Sequence, residues 1–231
     1  MLTNPPLMRR GLLIVLLLAL TGTVCAAQED LDTRLAPLAE KNVTARALLL
    51  MKDKRDTSQL NRAVSLLQQH LIASPEDRTA KMFCGYGQLF LAGDYMLKKN
   101  YMRAAELSKQ GYYAIDEAAE QEPENALQFY LRARMNAFVP AESGRCVVAN
   151  KDLNALQSPL LPTSLTPMLT LMRARAAMNC NQPEKAAQAW NALRAMGAAG
   201  EPLYRIQSGA PPDWTSGEIL DVLVPLLEAQ P

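Results

Sequence analysis

Small, large and chain-breaking residues recur at fixed spacing along this sequence. Ala63, Leu67, His70, Leu71 and Pro75 stand at offsets 0, 4, 7, 8 and 12. Ala186, Trp190 and Leu193 repeat the first three offsets, and Ala104, Ser108, Gly111 and Tyr112 give a weaker copy. The three alanines lie 41 and then 82 residues apart, so the second gap is twice the first. Offsets of 4, 7 and 8 share one face of a helix. A repeat of this size belongs to arrays in which each helix pair stacks on the next. Such solenoids expose long concave surfaces that serve binding more than chemical transformation.

The first 26 residues read as an address. Arg9 and Arg10 give a positive start, Gly11 to Leu20 is almost wholly apolar, and Val24-Cys25-Ala26 offers small residues around a cleavage point. Ten apolar residues are too few to cross a hydrocarbon core of about 30 Å. A cleaved secretory signal is the leading reading, with a lipid anchor on Cys25 or an uncleaved anchor as alternatives. Cleavage after Ala26 leaves 205 residues with 22 basic and 23 acidic side chains. That length suits one helical-repeat domain, 27–231, with a real core. No later apolar run approaches a membrane span, and the even charge balance argues against nucleic acid as a partner. The expected location is periplasmic or extracellular.

Three cysteines follow the signal. Cys84 sits inside an apolar helical run and is expected as a buried thiol. Cys146 and Cys180 each flank a turn, which pairs them in a disulfide that an oxidising compartment allows.

Helical periodicity covers almost every segment, and none alternates as a strand does. Asp56 or Ser58 starts a helix that Ser74-Pro75 ends. The next runs over about 76–98 and carries Gly85 and Gly87, read as a packing notch for a neighbouring backbone. Asn100 caps a helix to about 121, Pro123 opens one at 124–138, and a short helix covers 146–156. Thr166-Pro167 is expected as cap and first turn of a helix ending near Cys180. Asn181-Gln182-Pro183 turns into 184–196. Thr215 and Glu218 form a capping box for a last helix, 219–229, which Pro225 should kink. The expected fold is all-α, with four helix pairs at about 34–73, 76–121, 124–157 and 167–196 plus a closing helix.

These offsets resemble the tetratricopeptide repeat, with Cys84-Gly85 in its Leu-Gly place and Ala63–Pro75 and Ala174–Leu193 as the clearest copies. The step of 41 rather than 34 residues implies helices two turns longer than usual. The stretch Ala126-Leu-Gln-Phe-Tyr-Leu-Arg-Ala-Arg-Met135 is similar to a Leu-Tyr-Leu-Arg-Gly-Arg run in periplasmic repeat proteins associated with tripartite transporters. That similarity implies an adaptor that docks a solute-binding protein or holds an apolar solute in a central groove. By register, the repeat resemblance turns Thr79, Met82, Tyr86, Leu89 and Phe90 inward, together with Met168, Leu171, Arg175, Met178 and Asn179. Met82, Tyr86, Phe90, Leu171, Arg175 and Met178 are therefore candidate ligand or partner contacts, with core packing as the alternative.

The search for chemistry yields little. His70 is the only histidine, and no cluster of ligands points to a metal. The five acids from Asp116 to Glu124 read as a solvated helix end. Arg132 and Arg134 must point to different sides of their helix. Tyr130 and Arg134 share a stripe, where they hold an anionic head group or make a surface ion pair. Trp214 is either an exposed anchor or a plug, and the last helix either caps the stack or docks on another copy. The expected function is groove binding without cofactor or catalytic residues, by an adaptor for an envelope protein or a carrier of a small apolar ligand. A hydrolase working without histidine and a self-associating spacer are the alternatives.

Overall fold

The computed structural model describes residues 22–156, 161–206 and 210–229, with side chains from Leu31 onward. The apolar stretch of the proposed signal lies outside the described residues. Helix α1 is described from Gly22, so it includes the proposed cleavage position.

Among the described residues the protein is all-helical. Helix α1 spans Gly22–Ala39, α2 Val43–Leu50, α3 Thr57–Ala73, α4 Arg78–Leu97 and α5 Tyr101–Glu120. Helix α6 spans Ala126–Phe138, α7 Cys146–Ala155, α8 Thr166–Asn179, α9 Pro183–Ala195 and α10 Glu201–Tyr204. The C-terminal helix joins α11 (Ser216–Glu218), a π-helical turn (Ile219–Leu223) and α12 (Val224–Glu228). The expected first pair, 34–73, holds three helices, the end of α1 with α2 and α3; the other three expected pairs are α4/α5, α6/α7 and α8/α9. Within each pair the helices pack on one another, and α2, α4, α6 and α8 also touch in succession.

Short polar side chains set the boundaries. Asn42, Asp56, Asp77, Asn100 and Asn125 each accept a backbone N–H in the first turn of α2 to α6. These caps satisfy donors that a helix start leaves orphaned. Two expectations are corrected here. Asn125 rather than Pro123 opens α6, because the chain first turns back through 122–125. Thr166 does not cap α8; a 3-10 turn over Thr163–Leu165 leads into it, and the Thr166 carbonyl accepts from the Thr170 hydroxyl. Pro225 is accommodated by the π-helical turn just before it, since a proline ring crowds the carbonyl four residues back.

The glycine notch is present. A Cβ on Gly85 would stand 2.7 Å from the Gly111 carbonyl oxygen, and one on Gly111 would stand 2.8 Å from Leu89. Glycine at both positions lets α4 and α5 approach backbone to backbone. Cys146 and Cys180 form the expected disulfide, which ties the start of α7 to the end of α8. Cys84 is the buried free thiol, and burial pushes its pKa up to about 11.

The C-terminal helix departs most from expectation. It stays within the chain, but it does not cap the last pair. It returns to pack on α1, and Asn42 at the start of α2 donates to the Leu227 carbonyl at 2.9 Å. Its other end meets the turn before α8, where Ser164 bonds Asp221. The apolar core is continuous from Leu31 to Leu227.

Candidate functional site

Helix α6 shows why the inner face is closed. Tyr130 and Arg134 do share one stripe, and they do bind a carboxylate, but it is the chain's own Glu218. Oε1 of Glu218 accepts from Tyr130 Oη at 2.9 Å and from Arg134 Nε at 2.6 Å. Oε2 accepts from the Thr215 backbone N–H and hydroxyl, which completes the capping box. Arg134 also donates to the Pro212 carbonyl at 2.9 Å, and its guanidinium lies 3.8 Å from the Trp214 ring centre. Trp214 in turn stacks on Tyr86, whose hydroxyl donates to the Leu131 carbonyl. Lys54 pins the same strap through the carbonyls of Pro211 and Pro212 and the Asp213 carboxylate.

The electrostatics follow from burial. Burial raises the Tyr86 and Tyr130 hydroxyls well above the ordinary phenol range, and the Glu218 charge adds to both. Burial opposes the Arg134 charge, but the Glu218 carboxylate with Tyr86 and Tyr130 together outweighs it and holds its pKa above the ordinary value. Burial and the nearby Arg134 together lower the Lys54 pKa.

Met82, Tyr86, Tyr130, Arg134 and Leu171 are thus buried, which corrects the expectation that they line an open face. The physical reason at α4 and α6 is the strap and C-terminal helix, which leave there a hollow of about 20 Å³ beneath Trp214. Arg175 is half-buried at 5.6 Å from the Phe138 ring, and Met178 lies exposed beside Trp190 of α9. The α8 candidates are therefore not gathered with those of α4. His70 is paired with Asp77, the cap of α4, at 2.8 Å. Arg132, on the opposite side of α6 from Arg134, holds Asp152 of α7 through two bonds of 2.7 and 2.8 Å. Asp116, one of the five acids taken for a solvated end, is clasped by Arg145 at 2.6 and 2.8 Å.

An open cleft of about 1310 Å³ does exist, displaced from the expected face. Its floor is the C-terminal half of α4 (Leu89, Phe90, Gly93, Met96), its walls include Tyr112 of α5 and Met135 and Phe138 of α6, and Ile206, Pro211 and Pro212 close the far side. Lys52, Lys54 and Arg55 stand at the rim with Asp53, Asp94 and Asp213. Of the eight expected contacts, Phe90 alone lines it. Sequence reasoning missed Gly93, a third glycine of α4, where an added Cβ would meet nothing within 4 Å.

Such walls can do one kind of chemistry. Helices satisfy their own backbone groups, so the cleft offers a ligand carbon surface rather than a ladder of amides. Aromatic rings and thioethers adapt to varied apolar shapes. Among the described residues no group of three His, Cys, Asp or Glu is poised for a metal, and no helix is long and apolar enough to cross a membrane. Compared with known proteins, the chain matches no family model, no curated protein and no solved structure.

Proposed function

We propose that this protein is an exported carrier, built on a tetratricopeptide-like solenoid, that holds an apolar molecule in the cleft over the second half of α4. The observation that carries the reading is the cleft itself. It is a preformed, largely hydrocarbon hollow of about 1310 Å³, larger than a drug-sized site of roughly 300–1,000 Å³. A preformed site avoids the ordering cost that a flexible one meets on binding. An extended peptide would leave its amides unpaired against these helices, whereas a chain or ring system of carbon loses nothing there. Lys52 and Lys54 are paired with Asp32 and Asp213, so Arg55 is the rim cation placed to meet an acidic group at one end of such a ligand.

Export is supported by the signal-like start and by the Cys146–Cys180 disulfide, which is compatible with an oxidising compartment. The likeness of residues 126–135 to transporter-associated repeat proteins suggests the setting, an envelope adaptor that passes the molecule to a solute-binding protein. In this reading the buried Tyr130, Arg134 and Glu218 are structural, and the work is binding rather than catalysis.

Native mass spectrometry of the protein purified from its own exporting cells tests the proposal. An apolar adduct near 1:1, displaced by excess long-chain fatty acid, is expected. A bare mass, together with no saturable uptake of the fluorescent probe N-phenyl-1-naphthylamine, would end it.

A further inference from the structure

The turn between α4 and α5 leaves apolar surface and positive charge exposed together. Met96 and Leu97 end α4 at 54% and 85% exposure, and Tyr101 and Met102 begin α5 at 59% and 85%. Four of the nine large apolar side chains exposed among the described residues thus fall within seven positions. The other five are spread over α3, α5, α7, α8 and the C-terminal helix. Lys98, Lys99 and Arg103 stand among the four; Lys98 pairs with Asp94 at 2.7 Å and Arg103 with Glu106 at 2.6 Å, so three cations against two acids leave the turn a net charge of +1. Lys99 takes a left-handed backbone (φ 59°) to close the turn. A turn needs polar residues and the Asn100 cap; it does not need Leu97 or Met102 in water. Contiguous exposed apolar groups usually mark an interaction surface.

The stem is stiff. Helices α4 and α5 have 20 residues each and are locked together at Gly85 and Gly111. The tip is therefore presented about 30 Å along a rigid hairpin. Lys98 bonds Asp94 and Thr57, which fastens the tip to the start of α3 beside the basic 52–55 rim. We propose that this turn is a docking knuckle for an anionic lipid surface, seating Leu97 and Met102 among the acyl chains and Lys99 and Arg103 among the headgroups. A protein partner fits less well. Specific interfaces bury upwards of about 1,000 Å² in matched shape, and four side chains on a convex turn offer too little. A bilayer requires no matched surface, and apolar groups ringed by cations suit its anionic interface. Tyr101 adds an amphipathic ring of the kind enriched at that depth. Each basic side chain near such a surface contributes about a fivefold gain in affinity. The inference stands whether or not the cleft carries a ligand.

The test uses the full chain with Leu97→Cys or Ile72→Cys, each labelled with an environment-sensitive nitrobenzoxadiazole; Ile72 is as exposed, at 84%. On vesicles of equimolar phosphatidylglycerol and phosphatidylcholine, the label at 97 should brighten several-fold and shift blue, while that at 72 stays unchanged. Pure phosphatidylcholine should bind at least tenfold more weakly. The double variant Lys99→Gln/Arg103→Gln, which leaves the Lys98–Asp94 pair in place, should lose most of the response without a change in melting temperature. A label at 97 that responds no more than one at 72 overturns the proposal, as does an undiminished response in the double variant. Silence on every vesicle overturns it too.

Discussion

The two halves of α4 carry similar residues and meet different fates. Phe83, Gly85, Tyr86 and Gly87 are sealed by α3, α5 and the Trp214 strap; Leu89, Phe90, Gly93 and Met96 border an open cleft. Aromatic and small residues on a helix face thus do not themselves make a groove. What decides is whether another part of the chain returns to cover them. Here the cover is held by one buried carboxylate, Glu218, one buried guanidinium, Arg134, and the Lys54 ammonium.

Breaking the cover should have the largest effect. Arg134→Met leaves Glu218 buried without its cation, and loss of one partner of a buried pair costs about 3–5 kcal/mol. Urea unfolding should report that loss, and Arg134→Met with Glu218→Gln, which removes the charge but keeps acceptors for Tyr130 and the Thr215 cap, should recover part of it. Recovery would show that the pair specifies where the strap sits more than it adds net stability; an undisturbed single variant would contradict the burial.

The same substitution at two glycines of α4 sharpens the contrast. Gly85→Ala forces a methyl against the Gly111 carbonyl and Ile115, and should cost about 1–3 kcal/mol by overpacking. Gly93→Ala meets open space in a helix interior and should stabilise by up to about 1 kcal/mol. Thermal melts of the two variants should therefore move in opposite directions. Two shifts of one sign would mean that the halves of α4 do not differ as described.

Acid provides the smallest effect. The hydrogen bond from Lys98 holds the Asp94 carboxyl below its ordinary 3.8, and that from Lys81 holds Glu117 below 4.5. Each group binds its proton more tightly when unfolded, so stability from both pairs is present above those ordinary values and is lost as pH falls through the lowered ones. Melting temperature should be level from pH 7 to about 5 and decline below about 4. Lys81→Met and Lys98→Met should flatten that decline.

Much of this architecture is legible in the sequence because its causes are local. Ser74-Pro75, Asn100 and Asn181-Gln182-Pro183 end or start helices through their own backbone chemistry. The notch at Gly85 follows from the cost of glycine in a helix, and the pairing of Cys146 with Cys180 from the apolar run around Cys84. The strap is not legible. Arg134 and Glu218 are 84 residues apart, and no periodicity relates them. Glu218 reads as a capping residue because one of its oxygens is, while the other accepts from α6. The cleft was missed for the matching reason. A glycine signals close approach only where a neighbour exists, and at Gly93 none does.

Filling the cleft tests the central claim most directly. Gly93→Trp places an indole in open space on an intact helix, and its saturable uptake of N-phenyl-1-naphthylamine can be titrated beside the unaltered chain. The account predicts at least a tenfold loss of probe affinity with an unchanged helical spectrum and melting temperature. Uptake equal to that of the unaltered chain, with the same folded stability, would contradict it.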